Sequence, residues 1–177
     1  MPELYPRSNE IDKPAALHVA VVTVSDTRTE ETDKSGNYLV ERVKDAGHEL
    51  VSKQIVKDDT YKLRALVATL IADDGVQVVL VTGGTGFTFR DNTVAAVTPL
   101  LDKQIEGFGE VFRMLSHAEI GSSTIQSRAF AGLSNGTVVF CVPGSPGACQ
   151  TAWDGIIAEQ LDERHKPCNF VKKLKVI

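Results

Sequence analysis

Apolar residues in this chain follow two rhythms, and the rhythms alternate. Positions 17–24 are almost continuously apolar, which predicts a strand covered on both faces of a sheet. A polar loop Ser25-Asp26-Thr27-Arg28 follows. Then Leu39, Val40, Val43 and Ala46 recur at helical spacing, with Asp33 or Ser35 as the cap and Gly47 as the stop. Positions 50–56 predict a weaker strand. After Asp58-Asp59-Thr60, which supply N-cap oxygens, Leu63, Leu66, Val67, Leu70 and Ile71 mark one apolar helix face. Gly75 breaks the pattern, and 76–81 predict another buried strand. The order β-α-β-α-β implies a parallel sheet with covering helices. Further on, 93–101 read as a helix that Pro99 kinks or shortens, and a second helix runs from Gly107 to His117. Segments 128–133 and 137–142 flank Ser134-Asn135-Gly136, a hairpin signal. A last helix carries Ala148, Ala152, Ile156 and Ile157.

Composition narrows the function classes. The net charge of −4 and the lack of a basic stripe exclude a wholesale nucleic-acid binder. Cys141, Cys149 and Cys168 form no Cys-x-x-Cys pair, and the four histidines show no zinc spacing. No apolar run reaches the roughly 18 residues of a membrane span, and no signal-peptide pattern opens the chain, so a cytoplasmic protein is expected. Residues 1–15, with Pro2, Pro6 and Pro14, read as a polar arm, and 16–177 as one domain.

Two segments repeat one arrangement, a buried strand running into a small-residue turn and then a helix. They are the turn Thr82-Gly83-Gly84-Thr85-Gly86 and the turn Pro143-Gly144-Ser145-Pro146-Gly147. Ligands of open parallel sheets bind outside the carboxyl ends of the strands, and glycines let backbone N–H groups approach an anion. Neither the dinucleotide glycine pattern nor a P-loop is present. Asp26, Asp58 and Asp91 each follow a predicted strand, so all three are expected at the same edge, where Mg²⁺ could bridge them to phosphate. Taken singly, Asp26 and Asp58 are equally at home as cap or turn residues, and Asp91 as a helix cap. A side chain at Gly84 is expected to block phosphate approach, so Gly84→Val should abolish ligand binding yet leave a folded protein.

These residues carry a resemblance. Thr82-Gly83-Gly84-Thr85-Gly86, Arg90-Asp91-x-Thr93, Glu106-Gly107-Phe108-Gly109-Glu110 and Pro143-Gly144-Ser145 resemble the molybdopterin-binding family, which includes molybdopterin adenylyltransferase. Gln126-Ser127-Arg128-Ala129 and Lys166-Pro167-Cys168-Asn169-Phe170 are similar to its branch of molybdenum cofactor biosynthesis protein B. The resemblance implies a three-layer α/β/α sandwich with a mostly parallel sheet plus the C-terminal β-hairpin. It implies that molybdopterin and Mg-ATP bind and that AMP passes to the molybdopterin phosphate. Asp58 and Asp91 would act in catalysis and hold Mg²⁺. Ser25, Asp26, Thr82, Gly83, Gly84, Thr85, Gly86, Pro143, Gly144 and Ser145 would bind ligand, the glycines through backbone N–H groups. It implies a homo-oligomer, trimer or hexamer, consistent with the surplus of large apolar groups at Phe108, Phe112 and Met114. Where family members usually continue with proline and an acid, this chain has Val94-Ala95. That departure keeps a second reading open, a paralogue that holds molybdopterin or nucleotide without turnover.

Overall fold

Each apolar run expected to be a strand is one in the computed structural model, which describes residues 13–177. The strands are β1 (His18–Val24), β2 (Glu49–Val56), β3 (Val78–Thr82), β4 (Lys103–Gln104), β5 (Phe130–Ser134) and β6 (Thr137–Val142). They form one mixed sheet in the order β2-β1-β3-β6-β5-β4. β2, β1, β3 and β6 are mutually parallel, while β5 runs antiparallel to β6 and β4. The hairpin therefore lies within the main sheet, because β6 pairs with β3. Its turn has Asn135 at φ 50° and Gly136 at φ 70°, the left-handed pair that matches the twist of a hairpin. β4 has two exposed polar residues and no apolar signature, so it was not expected. It forms because β5 offers it an edge.

The continuous apolar runs are explained by burial on both faces. Val19 and Val21 of β1, Val78 and Leu80 of β3, and Val138 and Phe140 of β6 pack on one side. That side is covered by α1 (Lys34–Asp45), α4 (Glu106–Ile120) and α5 (Pro146–Ala152), the last continuing through a π turn at Trp153–Ile157. The alternate residues Ala20, Val22, Val79, Val81, Val139 and Cys141 pack on the other side under α2 (Thr60–Ala72) and α3 (Thr93–Val97). Each fully buried Val or Leu contributes about 1.5–3 kcal/mol, so the two faces together hold the three layers.

The caps settle which polar residues remain for other work. Asp33 caps α1, its Oδ1 accepting from Gly36 N–H at 2.9 Å, while the Ser35 hydroxyl donates to the Gly144 carbonyl. Asp59 caps α2 by accepting from the N–H groups of Tyr61 and Lys62, which leaves Asp58 outside that role. α3 stops at Val97, and a 3₁₀ turn at Thr98–Leu100 follows with Pro99 inside it. Among the described residues no helix is long and apolar enough to cross a membrane. Of the expected arm 1–15, residues 1–12 lie outside the described part. Ala15 N–H donates to Glu163 at 2.8 Å.

Candidate functional site

The carboxyl ends of the parallel strands finish level. Thr23 is in register with Thr82, Thr82 with Val142, and Val24 with Val56. The loops leaving those strands therefore meet, and they enclose an open cleft of about 500 Å³. Ser25, Asp26, Asp58, Gly83, Gly84, Thr85, Gly86, Asp91, Pro143, Gly144 and Ser145 all line it. Thr82 does not. Its hydroxyl donates to the Pro143 carbonyl at 2.9 Å, binding the end of β3 to the second turn, and it faces a small adjoining cavity of about 120 Å³. Ser145 caps α5, accepting from Ala148 N–H at 3.2 Å.

The glycine turn is narrower as an anion cradle than its sequence suggests. Gly83 N–H donates to the Val142 carbonyl at 3.0 Å, so it is engaged within the sheet edge. The N–H groups of Gly84 and Thr85 have no acceptor among the described residues, and they are the groups left for a phosphate. Gly84 has φ +68°, and a Cβ there would lie 2.2 Å from Thr93 Oγ1 and 2.8 Å from Asp58 Oδ2. Its missing side chain makes room for those two residues. Gly84→Val therefore strains the backbone and displaces Thr93, whose hydroxyl donates to the Gly83 carbonyl at 2.8 Å. The substitution reports on local structure as much as on ligand approach.

The three carboxylates are brought to one edge but are not equivalent. Asp26 forms a bidentate pair with Arg90, at 2.9 Å to Nε and 2.7 Å to Nη2, and also accepts from Asp58 N–H. The Arg90 guanidinium holds Asp26 below the usual carboxylate range. Asp58 is buried, and its Oδ1 accepts from Asn92 N–H at 2.9 Å. Burial pushes the Asp58 carboxyl up against the Asn92 hydrogen bonds, and the charges of Asp91 and Asp26 add to the rise. Asp91 does not cap α3: Asn92 holds that position without a side-chain bond, and the acceptor for its N–H is Asp58. Asp91 instead closes its own loop, its Oδ2 accepting from Thr88 N–H and from the Thr88 hydroxyl, both at 2.8 Å. Burial would raise Asp91, but Thr88, Gly86 N–H and the charge of Arg128 outweigh it and hold it low.

Among the described residues no three His, Cys, Asp or Glu side chains form a metal cluster. Mg²⁺ commonly takes only one or two carboxylates, with phosphate oxygens and water completing its shell. Asp58 and Asp91 fit that demand, since both carboxylates line the cleft beside the glycine turn.

The opposite wall of the cleft was not anticipated. It comes from α4 and the 3₁₀ turn Gly121–Gln126, and presents Phe112, Ser116, Ile120, Ser123, Gln126 and Ser127. Nothing in the local pattern marks these residues as ligand contacts; Phe112 had entered as an apolar helix residue and Gln126-Ser127 as part of a motif. Phe112 and Phe108 are core residues, so the surplus of apolar groups on α4 reduces to Val111, Met114 and Ile120. A larger open hollow of about 800 Å³ beyond Ser127 holds none of the expected site residues, though Val94 lines it.

The chain matches the family model described as "Probable molybdopterin binding domain" over residues 20–163. It is 57% identical over 157 residues to molybdenum cofactor biosynthesis protein B of Escherichia coli K12, covering 89% of this chain and 92% of that one. A crystal structure of molybdenum cofactor biosynthesis protein B superposes with a TM-score of 0.81 at 50% identity, covering 84% of this chain and 92% of that one. The tungsten cofactor synthesizing protein MoaB from Pyrococcus furiosus superposes with a TM-score of 0.72 at 40% identity, over 82% of this chain and 93% of its own.

Proposed function

This chain belongs to the molybdopterin-binding domain family of molybdenum cofactor biosynthesis, within its protein B branch, and from that premise we propose that it binds molybdopterin and Mg-ATP in the cleft and transfers AMP to the molybdopterin phosphate. The observation that carries this reading is the meeting, at one sheet edge, of two unbonded turn N–H groups with the carboxylates of Asp58 and Asp91. In the transfer a phosphate oxygen of molybdopterin bonds to the α-phosphorus of ATP, and the bond from that phosphorus to pyrophosphate breaks. No covalent intermediate on the protein is needed, and the work of the chain is to orient the reactants and offset charge. Gly84 and Thr85 N–H donate to phosphate oxygens. Asp58 and Asp91 would hold Mg²⁺, which when bound neutralises charge on the phosphates. The Ser and Gln side chains of the α4 wall offer hydrogen bonds to a polar heterocycle, while Phe112 and Ile120 cover its faces.

The second reading, binding without turnover, arises from Val94-Ala95 standing in place of proline and an acid. Val94 lines the neighbouring hollow, and Ala95 is exposed with its carbonyl accepting from Arg64 at 2.8 Å. The replaced positions are thus outside the cleft wall, which favours the enzymatic reading. Incubation with molybdopterin and Mg-ATP distinguishes the two. Adenylated molybdopterin and pyrophosphate in equal amounts are expected; tight binding of both ligands without product would select the second reading.

A further inference from the structure

Arg128 lies just before β5, and five hydrogen bonds join it to Thr85, Gly86 and Asp91. Its backbone N–H donates to the Thr85 carbonyl at 3.0 Å, and its Nε reaches the same carbonyl at 3.4 Å. Its Nε donates to the Gly86 carbonyl at 2.9 Å, and its Nη2 donates to the same Gly86 carbonyl and to the Asp91 carbonyl at 3.1 Å. The guanidinium carbon lies 4.8 Å from the centre of the Phe87 ring. Gly86 and Asp91 are the two ends of one loop, and the residues between them, Phe87, Thr88, Phe89 and Arg90, are all exposed. Among the described residues, none of these four belongs to the buried core. The Arg90–Asp26 pair is also exposed, and such pairs contribute little, about 0–1 kcal/mol.

We propose that Arg128 is a positioning residue that acts through Asp91 and the glycine turn: one guanidinium pins both ends of the 86–91 loop and so fixes the Asp91 carboxylate at the cleft edge. The proposal rests on the assignment of this cleft to a Mg²⁺-dependent nucleotide. An arginine is required because its planar fork reaches two carbonyls at once, which a lysine ammonium on a flexible stem does not reproduce.

The test uses Arg128→Lys and Arg128→Gln in the full chain. In the ligand-free protein, exchange of the Thr88 amide, which Asp91 holds, should accelerate at least about tenfold while amides of β3 stay protected. The Mg²⁺-dependent part of the affinity for a non-hydrolysable ATP analogue should fall at least about tenfold in both variants, and the Mg²⁺-independent part should stay within about twofold. Arg113→Lys is the control, since Arg113 Nη1 donates to the single carbonyl of Ala129 beside the other hollow. Wild-type Mg²⁺ dependence in both Arg128 variants overturns the positioning role, even if Thr88 exchange accelerates, because Arg128 is then only a loop brace. Absence of Mg²⁺-dependent binding in the unsubstituted protein overturns instead the reading of the cleft on which the role depends.

Discussion

Asp91 and Asp58 separate chemistry from scaffolding at the level of single atoms. Both Thr88 bonds to Asp91 are made to one oxygen, and the carbonyl oxygen of an asparagine can accept both. Asp91→Asn should therefore change stability by less than about 1 kcal/mol in thermal melts. Calorimetric titration should show Mg²⁺-dependent ATP binding falling at least about tenfold, because a neutral amide is a poor Mg²⁺ ligand. Intact binding would leave Asp91 as a turn residue alone. Asp58 should behave differently. Its pKa is raised in the fold by burial, so the ionised form opposes folding at neutral pH. Asp58→Asn keeps an acceptor for Asn92 N–H and removes that charge, so the ligand-free protein should be at least as stable in thermal melts while losing Mg²⁺-dependent binding. A destabilised variant would show that Asp58 is held for structure.

At the scale of elements, α1 depends on the residue that caps it. Asp33 accepts from Gly36 N–H, accepts the Thr23 hydroxyl at 2.7 Å, and lies 3.1 Å from the Lys53 ammonium. Burial works to raise its pKa, but Thr23, Gly36 and Lys53 prevail and hold it below the ordinary value. Its contribution is therefore present above the ordinary carboxylate range and is lost as pH falls through the depressed value. Asp33→Ala removes the cap, leaves the buried Thr23 hydroxyl without this acceptor, and takes one carboxylate from Lys53. A loss of about 2–4 kcal/mol is expected in urea unfolding at neutral pH. A cost below about 1 kcal/mol would mean that Glu30, 2.6 Å from Lys53, takes over.

Two expectations belong to the whole molecule. His48 is buried, and its Nδ1 accepts from Leu17 N–H at 3.1 Å, joining the approach to β2 with the residue before β1. Burial lowers its pKa, against the charge of Asp162. The fold thus binds this proton less readily than the unfolded chain. Stability should be full above about pH 6.5 and decline below it until the folded pKa is passed. The slope of the denaturation midpoint between about pH 7 and 5.5 should diminish in His48→Gln. The second expectation is assembly. Phe89 is 89% exposed and Phe87 63%, and Val111, Met114, Ile120 and Ile125 are also exposed, more apolar surface than isolated residues need. A trimeric or hexameric mass is expected in light scattering at micromolar concentration, and a monomeric mass would refute it.

What the sequence determined by itself is what depends on neighbours along the chain. Strand and helix periods, the places where α1 and α2 start and the Asn135-Gly136 turn are local, because each is set by backbone geometry within a few residues; which of Asp33 or Ser35, and of Asp58 or Asp59, serves as the cap was decided by the structure. The convergence of Asp26, Asp58 and Asp91 also followed from local order, since parallel strands return every βα loop to the same edge. Tertiary structure alone decided the rest. It engaged Gly83 N–H with Val142, matched Asp58 to Asn92, turned Asp91 onto Thr88, and closed the cleft with a wall from α4. β4 exists only because β5 has an open edge. Arg128 reaches Gly86 and Asp91 from 42 and 37 positions away, a pairing that no period or spacing encodes. Such contacts become visible only when the sheet has brought the loops together, because a hydrogen bond is specified by distance in space and not by separation along the chain.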